Sequence, residues 1–428
     1  MTPKQYVSED TLASATKLSI REQLALFETR EDYDFKGSDT QYSTHGIHTY
    51  VAAMVPQLAE KLVLAFVPKG ERVLDPFCGG GAVLVECVRH GRKPTGSDVN
   101  PLAVLISKVK STYIERKALQ DAWIYVHTHT VRNLDGAMSF PENYNIGYWF
   151  LPGTIAELTS LTRIIKRCER QEKFSPHVID ALKVIFSATV RDVMLTYRNE
   201  VRLRRLELDN LKKFKPNAFD SFAWRARLAL ERISNLPVDS RTSVGCDEVQ
   251  RLPYEDKSFH SIICSPPYGD ERNGVSYLQF SKFMLYWLGF SRDTVLEARR
   301  KTLGSSDYSI SLPSPTLEKV AKLITKRGGD ESWMNFYKEY YLGLQQMTRV
   351  VRNNVIIVIG NRILKQTVVE NARITTELMI SLGCKLEKHF ERSLPSKRLP
   401  RLRRESSHGF GGAIDKEDIL VFKVSASR

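Results

Sequence analysis

Three acidic side chains at the ends of short apolar runs, and one proline-rich tetrapeptide, carry most of the chemistry open to this 428-residue chain. Asp75 closes the run ERVLD and is followed by Pro76, Phe77, Cys78, Gly79, Gly80 and Gly81. Asp98 and Asn100 close a second run, PTGSDVNP, and Asp247 closes a third, TSVGCD. A strand that ends in an acid and turns through glycines into a helix lets backbone approach a ligand where a Cβ would clash. Asp98, 17 residues after Gly81, is placed to accept hydrogen bonds from two ribose hydroxyls, and Asp247 from an adenine amino group. The spacing F-x-G-x-G puts Leu84 where the dinucleotide fingerprint needs its third glycine. Carboxylates on one sheet edge repel phosphate but tolerate an ammonium and a sulfonium, so the ligand expected here is a nucleoside cofactor without a pyrophosphate.

The tetrapeptide Ser265-Pro266-Pro267-Tyr268 follows the apolar run SFHSIIC. Two consecutive prolines fix φ and remove two backbone donors, leaving carbonyls free to accept from a guest amine. The Ser265 hydroxyl adds a further polar group, and the Tyr268 ring can stack on a base, a contact worth roughly 1 to 3 kcal/mol. An exocyclic base amine held this way could attack a sulfonium methyl in line, so the predicted chemistry is methyl transfer driven by proximity and alignment. The chain has no Pro-Cys dipeptide of the kind that supplies a covalent nucleophile in cytosine-C5 chemistry.

Composition points to the partner. Sixty-three Lys and Arg against 49 Asp and Glu give a net charge of +14, which favours a polyanion, nucleic acid before a membrane surface. No apolar run reaches 18 residues and the first residues lack a secretory pattern, so a soluble cytoplasmic protein is expected. The six cysteines, Cys78, Cys87, Cys168, Cys246, Cys264 and Cys384, form no Cys-x-x-Cys pair and read as reduced structural residues. Neither His45 with His48 nor His127 with His129 has further ligands nearby, so no metal is expected. Two basic blocks stand out: residues 198–215, with seven basic and three acidic side chains, and residues 392–404. The second holds Arg392, Lys397, Arg398, Arg401, Arg403 and Arg404 with no acid, between two candidate strands, and is the sharper candidate for phosphate contact.

Strand, glycine turn, helix, strand and helix succeed one another up to about residue 115, which predicts a parallel sheet. Residues 116–239 carry long helical patterns and no convincing strand, and read as a helical insertion with a possible role in DNA recognition. From 240 onward strand character returns at 242–247 and 258–265. A helix is expected over about Val275 to Leu288, then a polar stretch over 292–330, a long helix, the strand NVIIVIG, another helix, and two closing strands, KLEKHFE and EDILVFKV, as an antiparallel hairpin. The domain reading is therefore 1–115 for the N-terminal element and first half of the catalytic core, 116–239 for the insertion, and 240–428 for the second half with the basic loop.

The ordered set DPFCGGG, GSDVNP, GCD, SPPYGD and the closing hairpin resembles the S-adenosylmethionine-dependent DNA amino-methyltransferases, and among them the cytosine-N4 enzymes of restriction-modification systems, which commonly carry serine where adenine-N6 enzymes carry aspartate or asparagine. The match covers about 200 residues of the core, from roughly Thr44 to Pro101 and from Thr242 to Leu288, with the last hundred residues matching only in pattern. The resemblance implies a Rossmann-like class I methyltransferase fold, a mixed seven-stranded α/β sheet with a helical insertion. It also implies that Phe77, Gly79 and Gly81 line the methionine and ribose of the cofactor, with Asp75 on its ammonium side, Asp98 at the ribose and Asp247 at the adenine. Ser265 to Tyr268 would hold the target base, and the segment 44–58 (THGIHTYVAAMVPQL) would reach the methionine end. DNA is the implied partner, with a possible cognate restriction endonuclease. The alternatives are an adenine-N6 DNA enzyme, an RNA guanine-N2 enzyme, and a non-catalytic nucleic-acid-binding protein on this fold.

Overall fold

The computed structural model describes residues 33–130, 138, 140, 144–197, 203–238, 240–269, 275–394 and 416–424. Nine strands are present among them: β1 (Arg72–Asp75), β2 (Lys93–Ser97), β3 (Ser243–Gly245), β4 (Phe259–Cys264), β5 (Val351–Gly360), β6 (Arg362–Leu364), β7 (Thr367–Val369), β8 (Cys384–Ser393) and β9 (Lys416–Val424). Seven form one sheet in the order β3-β2-β1-β4-β5-β9-β8, while β6 and β7 pair as a separate hairpin. All pairings from β3 to β5 are parallel, and β9 runs antiparallel between β5 and β8. This is the mixed α/β sheet of a class I methyltransferase fold. Because the five parallel strands end on one edge, Asp75, Asp98, Asp247 and Ser265 converge there although up to 190 positions apart in sequence.

The first half contributes α1 (Pro56–Phe66), α2 (Ala82–Arg89) and α3 (Pro101–Lys110). The stretch 116–239 contributes α4 (Arg116–Thr128), α5 (Ile146–Trp149), α6 (Pro152–Arg170), α7 (Pro176–Val193), α8 (Leu208–Lys213) and α9 (Ala218–Arg232). Beyond β4 follow α10 (Tyr277–Trp287), α11 (Arg292–Arg300), α12 (Pro315–Lys326), α13 (Met334–Val350) and α14 (Asn371–Ser381). Proline stands in the first turn of α1, α3, α6, α7 and α12, where its fixed φ suits the helix and its missing N–H costs nothing.

The six residues of β4 are all buried, as a central strand covered on both faces requires. Val73, Ile263, Ile356 and Val358 pack under α1 and α2 through Leu58, Leu62, Val83 and Cys87. Leu74, Ile262, Val355 and Ile357 pack on the opposite face against Phe336, Tyr340, Leu344 and Leu378 of α13 and α14. The helices of 116–239 share a third core with α3 and α10, in which Leu102, Ile106, Phe186, Phe222, Phe283 and Trp287 meet. Within the described part of that stretch the extended pairing is a single bridge, Thr196 to Arg205. No described helix is long and apolar enough to cross a membrane, and the six cysteines are free thiols.

One sequence expectation needs correction. The stretch 292–330 holds two helices, α11 and α12, because Ser291 and Ser314 cap them by accepting from the N–H groups of Thr294 and Leu317, both at 3.1 Å. The apolar residues Leu317, Val320 and Ile324 then bury one face of α12.

Candidate active site

At the carboxyl edge of β1, β2, β3 and β4 lies a cleft of about 1020 Å³ including its open mouth. Asp75, Pro76, Phe77, Cys78, Gly79, Asp98, Asn100, Asp247, Ser265 and Pro267 all line it. Asp75 is buried and accepts one hydrogen bond, from the Phe77 N–H at 3.1 Å. Loss of solvation, with the neighbouring Asp98 charge as a smaller cause, pushes its carboxyl up to about 8. Asp98 bridges the turn to its own strand end, accepting from Gly79 N–H at 3.0 Å and from Asn100 N–H at 2.8 Å. Burial still raises it, to about 6, because those two donors offset only part of the desolvation. Each Asp98 oxygen keeps a free lone pair for a diol. Asp247 is set by its backbone, whose carbonyl accepts from Ser97 Oγ at 3.0 Å, and its carboxylate folds back over Gly245, where a Cβ would collide with it.

The glycines serve protein packing as much as ligand approach. Gly79 has φ +46° and Gly81 φ +80°, left-handed values that favour glycine. A Cβ on Gly79 would stand 3.3 Å from the Tyr50 ring, and one on Gly81 would lie 2.9 Å from Cα and Cβ of Ser107 on α3. Gly81 is thus absent from the cleft wall, and its glycine is demanded by the close approach of α3 rather than by a ligand.

Ser265, Pro267 and Gly269 face the cleft, whereas Pro266 and Tyr268 are not on its wall. Tyr268 is half-buried, and its hydroxyl donates to Glu417 Oε1 at 2.7 Å and lies 3.5 Å from Ser265 Oγ. Its carbonyl accepts from Asn371 Nδ2 at 2.9 Å. Burial and the facing Glu417 carboxylate raise the Tyr268 phenol well above its ordinary value, so it stays protonated.

Comparison with known proteins bears on this arrangement directly. A family model described as DNA methylase matches residues 25–109, the stretch that holds Asp75, the glycine turn and Asp98. The chain is 29% identical over 407 residues to the Type II methyltransferase M.MvaI of Kocuria varians, spanning 86% of this chain and 87% of that protein. The chain is thus similar to DNA methylases, and over most of its length to a Type II methyltransferase. Shorter matches join it to the Type II methyltransferase M.MjaII of Methanocaldococcus jannaschii, 39% identical over 66 residues, 15% of this chain and 12% of that protein. A third relative is a tRNA (guanine(10)-N2)-dimethyltransferase of Methanothermobacter thermautotrophicus, 42% identical over 52 residues, 12% of this chain and 16% of that protein.

The methylase completes its cleft with residues that composition and spacing did not single out. Tyr50 closes over Gly79 and Gly80, its hydroxyl accepts from Asn100 Nδ2 at 2.9 Å, and its ring stacks on Tyr277 at 6.3 Å between centroids. Asn100 also donates to Ser281 Oγ at 2.7 Å and accepts from Leu102 N–H at 3.1 Å, which ties the glycine turn to α3 and α10. Lys301, Thr302 and Leu303 form the far wall; nothing in their local sequence marks them. The segment 44–58 divides its labour. Residues 50–54 line the cleft, while the preceding residues anchor them: His45 contacts the buried Glu86 at 2.6 Å, Thr44 Oγ1 donates to the Lys110 carbonyl at 2.6 Å, and Lys110 Nζ donates to the His48 carbonyl at 2.6 Å. Glu86 also accepts from Tyr42 and Arg89, at 2.9 and 2.6 Å. Against the opposing effect of burial, hydrogen bonds from His45 and His90 and the charges of His45 and Arg89 hold its carboxyl down at about 2.

Of the cations of 392–404, Lys397, Arg398, Arg401, Arg403 and Arg404 lie outside the described residues. Arg392 is placed differently from the sequence expectation. Its side chain is 3% exposed and pairs with Glu417 at 2.8 Å, so it is committed within the protein instead of standing ready for a phosphate.

Proposed function

We propose that the methylase transfers a methyl group from S-adenosylmethionine to the exocyclic N4 amine of cytosine in DNA. The observation that carries this reading is that Ser265 and Pro267 share one cleft with Asp75, Asp98 and Asp247, an amine-holding loop facing a nucleoside-holding edge. The donor set suits this cofactor. Asp75 is a buried carboxyl whose proton a ligand ammonium would displace, Asp98 retains lone pairs for two ribose hydroxyls, and Asp247 stands at the next strand end for an adenine amine. When bound, S-adenosylmethionine supplies an electrophilic sulfonium methyl.

A cytosine amine is a poor nucleophile because its lone pair is delocalised into the ring. Hydrogen bonds from its two N–H groups to the Ser265 hydroxyl and the Pro266 carbonyl would favour a pyramidal nitrogen, and the stiffness of two prolines keeps both acceptors aimed. The amine proton lost on methylation would pass first to an acceptor of this loop. A duplex base must leave the stack to enter, at a cost of a few kcal/mol. The net charge of +14 supports a polyanionic substrate. On this reading the helices of 116–239 contribute to DNA recognition, Lys397, Arg398, Arg401, Arg403 and Arg404 meet phosphates, and a restriction endonuclease of the same specificity is the expected companion.

The deciding experiment incubates the methylase with labelled S-adenosylmethionine and DNA, digests the product to nucleosides and identifies the labelled one. N4-methylcytosine is expected. Recovery of N6-methyladenine would reassign the target while leaving the cofactor reading intact, and label in RNA alone would overturn the proposal.

A further inference from the structure

Tyr268 is gripped at both ends by residues off the cleft wall, Asn371 at the start of α14 and Glu417 on β9. Its carbonyl is fixed by Asn371, a 1% exposed residue whose Nδ2 also donates to the Gly360 carbonyl at 2.8 Å and whose Oδ1 accepts from Tyr337 Oη at 2.7 Å. Its hydroxyl is fixed by Glu417. That residue stands in register with Gly360 on β5 on one side and with Arg392 on β8 on the other, so the antiparallel end of the sheet delivers the carboxylate to the loop. The two oxygens are divided: Oε1 takes the Tyr268 hydroxyl, and Oε2 faces Arg392 at 2.8 Å. Arg392, which sequence reading offers to DNA, is thereby spent on holding Glu417.

We propose that Glu417, pinned by Arg392, is a positioning residue for the methylated base: it fixes the swing of the Tyr268 ring about its Cα–Cβ bond, and so the angle at which that ring meets the base. The inference rests on the reading that Tyr268 touches the target base. A hydroxyl held on the ring axis leaves rotation about that axis free but stops the ring from swinging away from the loop. Misplacing a group at the reacting centre by about 1 Å costs on the order of a hundredfold in rate, so release of one of two anchors should cost about tenfold in kcat, with no change in cofactor affinity, because neither Glu417 nor Tyr268 lines the cofactor cleft.

The test uses the full chain with Tyr268→Phe, Tyr268→Ala, Glu417→Gln, Glu417→Ala and the double variant Tyr268→Phe/Glu417→Ala. Steady-state methylation at saturating substrates, which gives kcat, and the dissociation constant for S-adenosylmethionine are measured for each. Expected results are a loss of about tenfold in kcat for Tyr268→Phe and Glu417→Ala, the same loss and no more in the double variant, recovery to within about threefold of wild type in Glu417→Gln, which retains an acceptor oxygen, and an unchanged cofactor constant throughout. Wild-type kcat in Tyr268→Phe, or additive losses in the double variant, would overturn the positioning role even with Tyr268→Ala inactive. Full activity of Tyr268→Ala would instead remove the reading on which it rests. Should Glu417→Ala leave Arg392 unpaired and fail to fold, Tyr268→Phe decides alone, since it spares the ion pair.

Discussion

Raising the pH from 6 to 7 should tighten binding of S-adenosylmethionine about tenfold, and Asp75 should be the cause. Its carboxyl stands at about 8 in the ligand-free protein, so the ionised fraction is roughly 1% at pH 6 and 9% at pH 7, a tenfold rise worth about 1.4 kcal/mol. An ammonium beside it favours the ionised form, and binding then releases nearly one proton. Asp98, at about 6, adds at most about a further factor of two over the same interval. Above about 7.7 the α-amino group of the ligand starts to lose its own proton, so the affinity curve should turn over. The stability of the ligand-free protein runs the other way. Asp75 is raised above its unfolded value of 3.8, so between about pH 4 and 8 the folded chain holds a proton that the unfolded chain has lost, and stability falls as pH rises through that window. Isothermal titration at several pH values, in two buffers of different ionisation enthalpy, measures both the affinity and the proton released. Asp75→Asn should bind more weakly at pH 7 and lose the tenfold rise from pH 6 to 7, keeping at most the factor of about two that Asp98 supplies. A flat wild-type profile, or an unchanged slope in Asp75→Asn, would refute the assignment of Asp75 to the ammonium.

Gly81→Ala should lower the thermal midpoint by an amount equivalent to about 2 to 6 kcal/mol, the sum of forcing a Cβ into a left-handed backbone and driving it against Ser107. Cofactor affinity in whatever fraction folds should stay near that of wild type, because Gly81 is off the cleft wall. Neutralising Arg401, Arg403 and Arg404 together should weaken DNA binding and reduce the slope of log affinity against log salt by about 0.9 for each phosphate that is no longer neutralised, measured by fluorescence anisotropy across a salt series. An unchanged slope would remove those residues from the interface.

What was legible in the sequence is what a parallel sheet brings together by topology. Asp75, Asp98, Asp247 and Ser265 each close an apolar run, and once those runs are parallel neighbours their ends share an edge, so the acids and the loop could be placed without knowing any side-chain contact. Tyr50 was harder, because its contact with Gly79 and Gly80 depends on how the Glu86 cluster folds the preceding segment back across the sheet edge. The 301–303 wall carries no local mark, since its position is set by the packing of α11 and the turn after it. Helices α11 and α12 were marked by Ser291 and Ser314 with Pro315, yet the polar and Gly/Ser/Pro content around them hid the caps. Arg392 was misjudged for a physical reason: a run of cations in sequence does not reveal which one alternates inward on a strand and meets an acid across the ladder.

The pairing of Arg392 with Glu417 also bears on how the two halves of the sheet cooperate. The parallel half can bring a cofactor and a loop to one edge, but it offers the loop no partner on its far side. The antiparallel insertion of β9 between β5 and β8 does so: a reversed strand starts at the edge where the parallel strands end, so its first residues, Lys416 and Glu417, lie beside the loop. A parallel strand in that place would carry Glu417 to the opposite edge and leave the Tyr268 hydroxyl without its acceptor. The reversed strand therefore connects the fold to the proposed chemistry as directly as the glycine turn does.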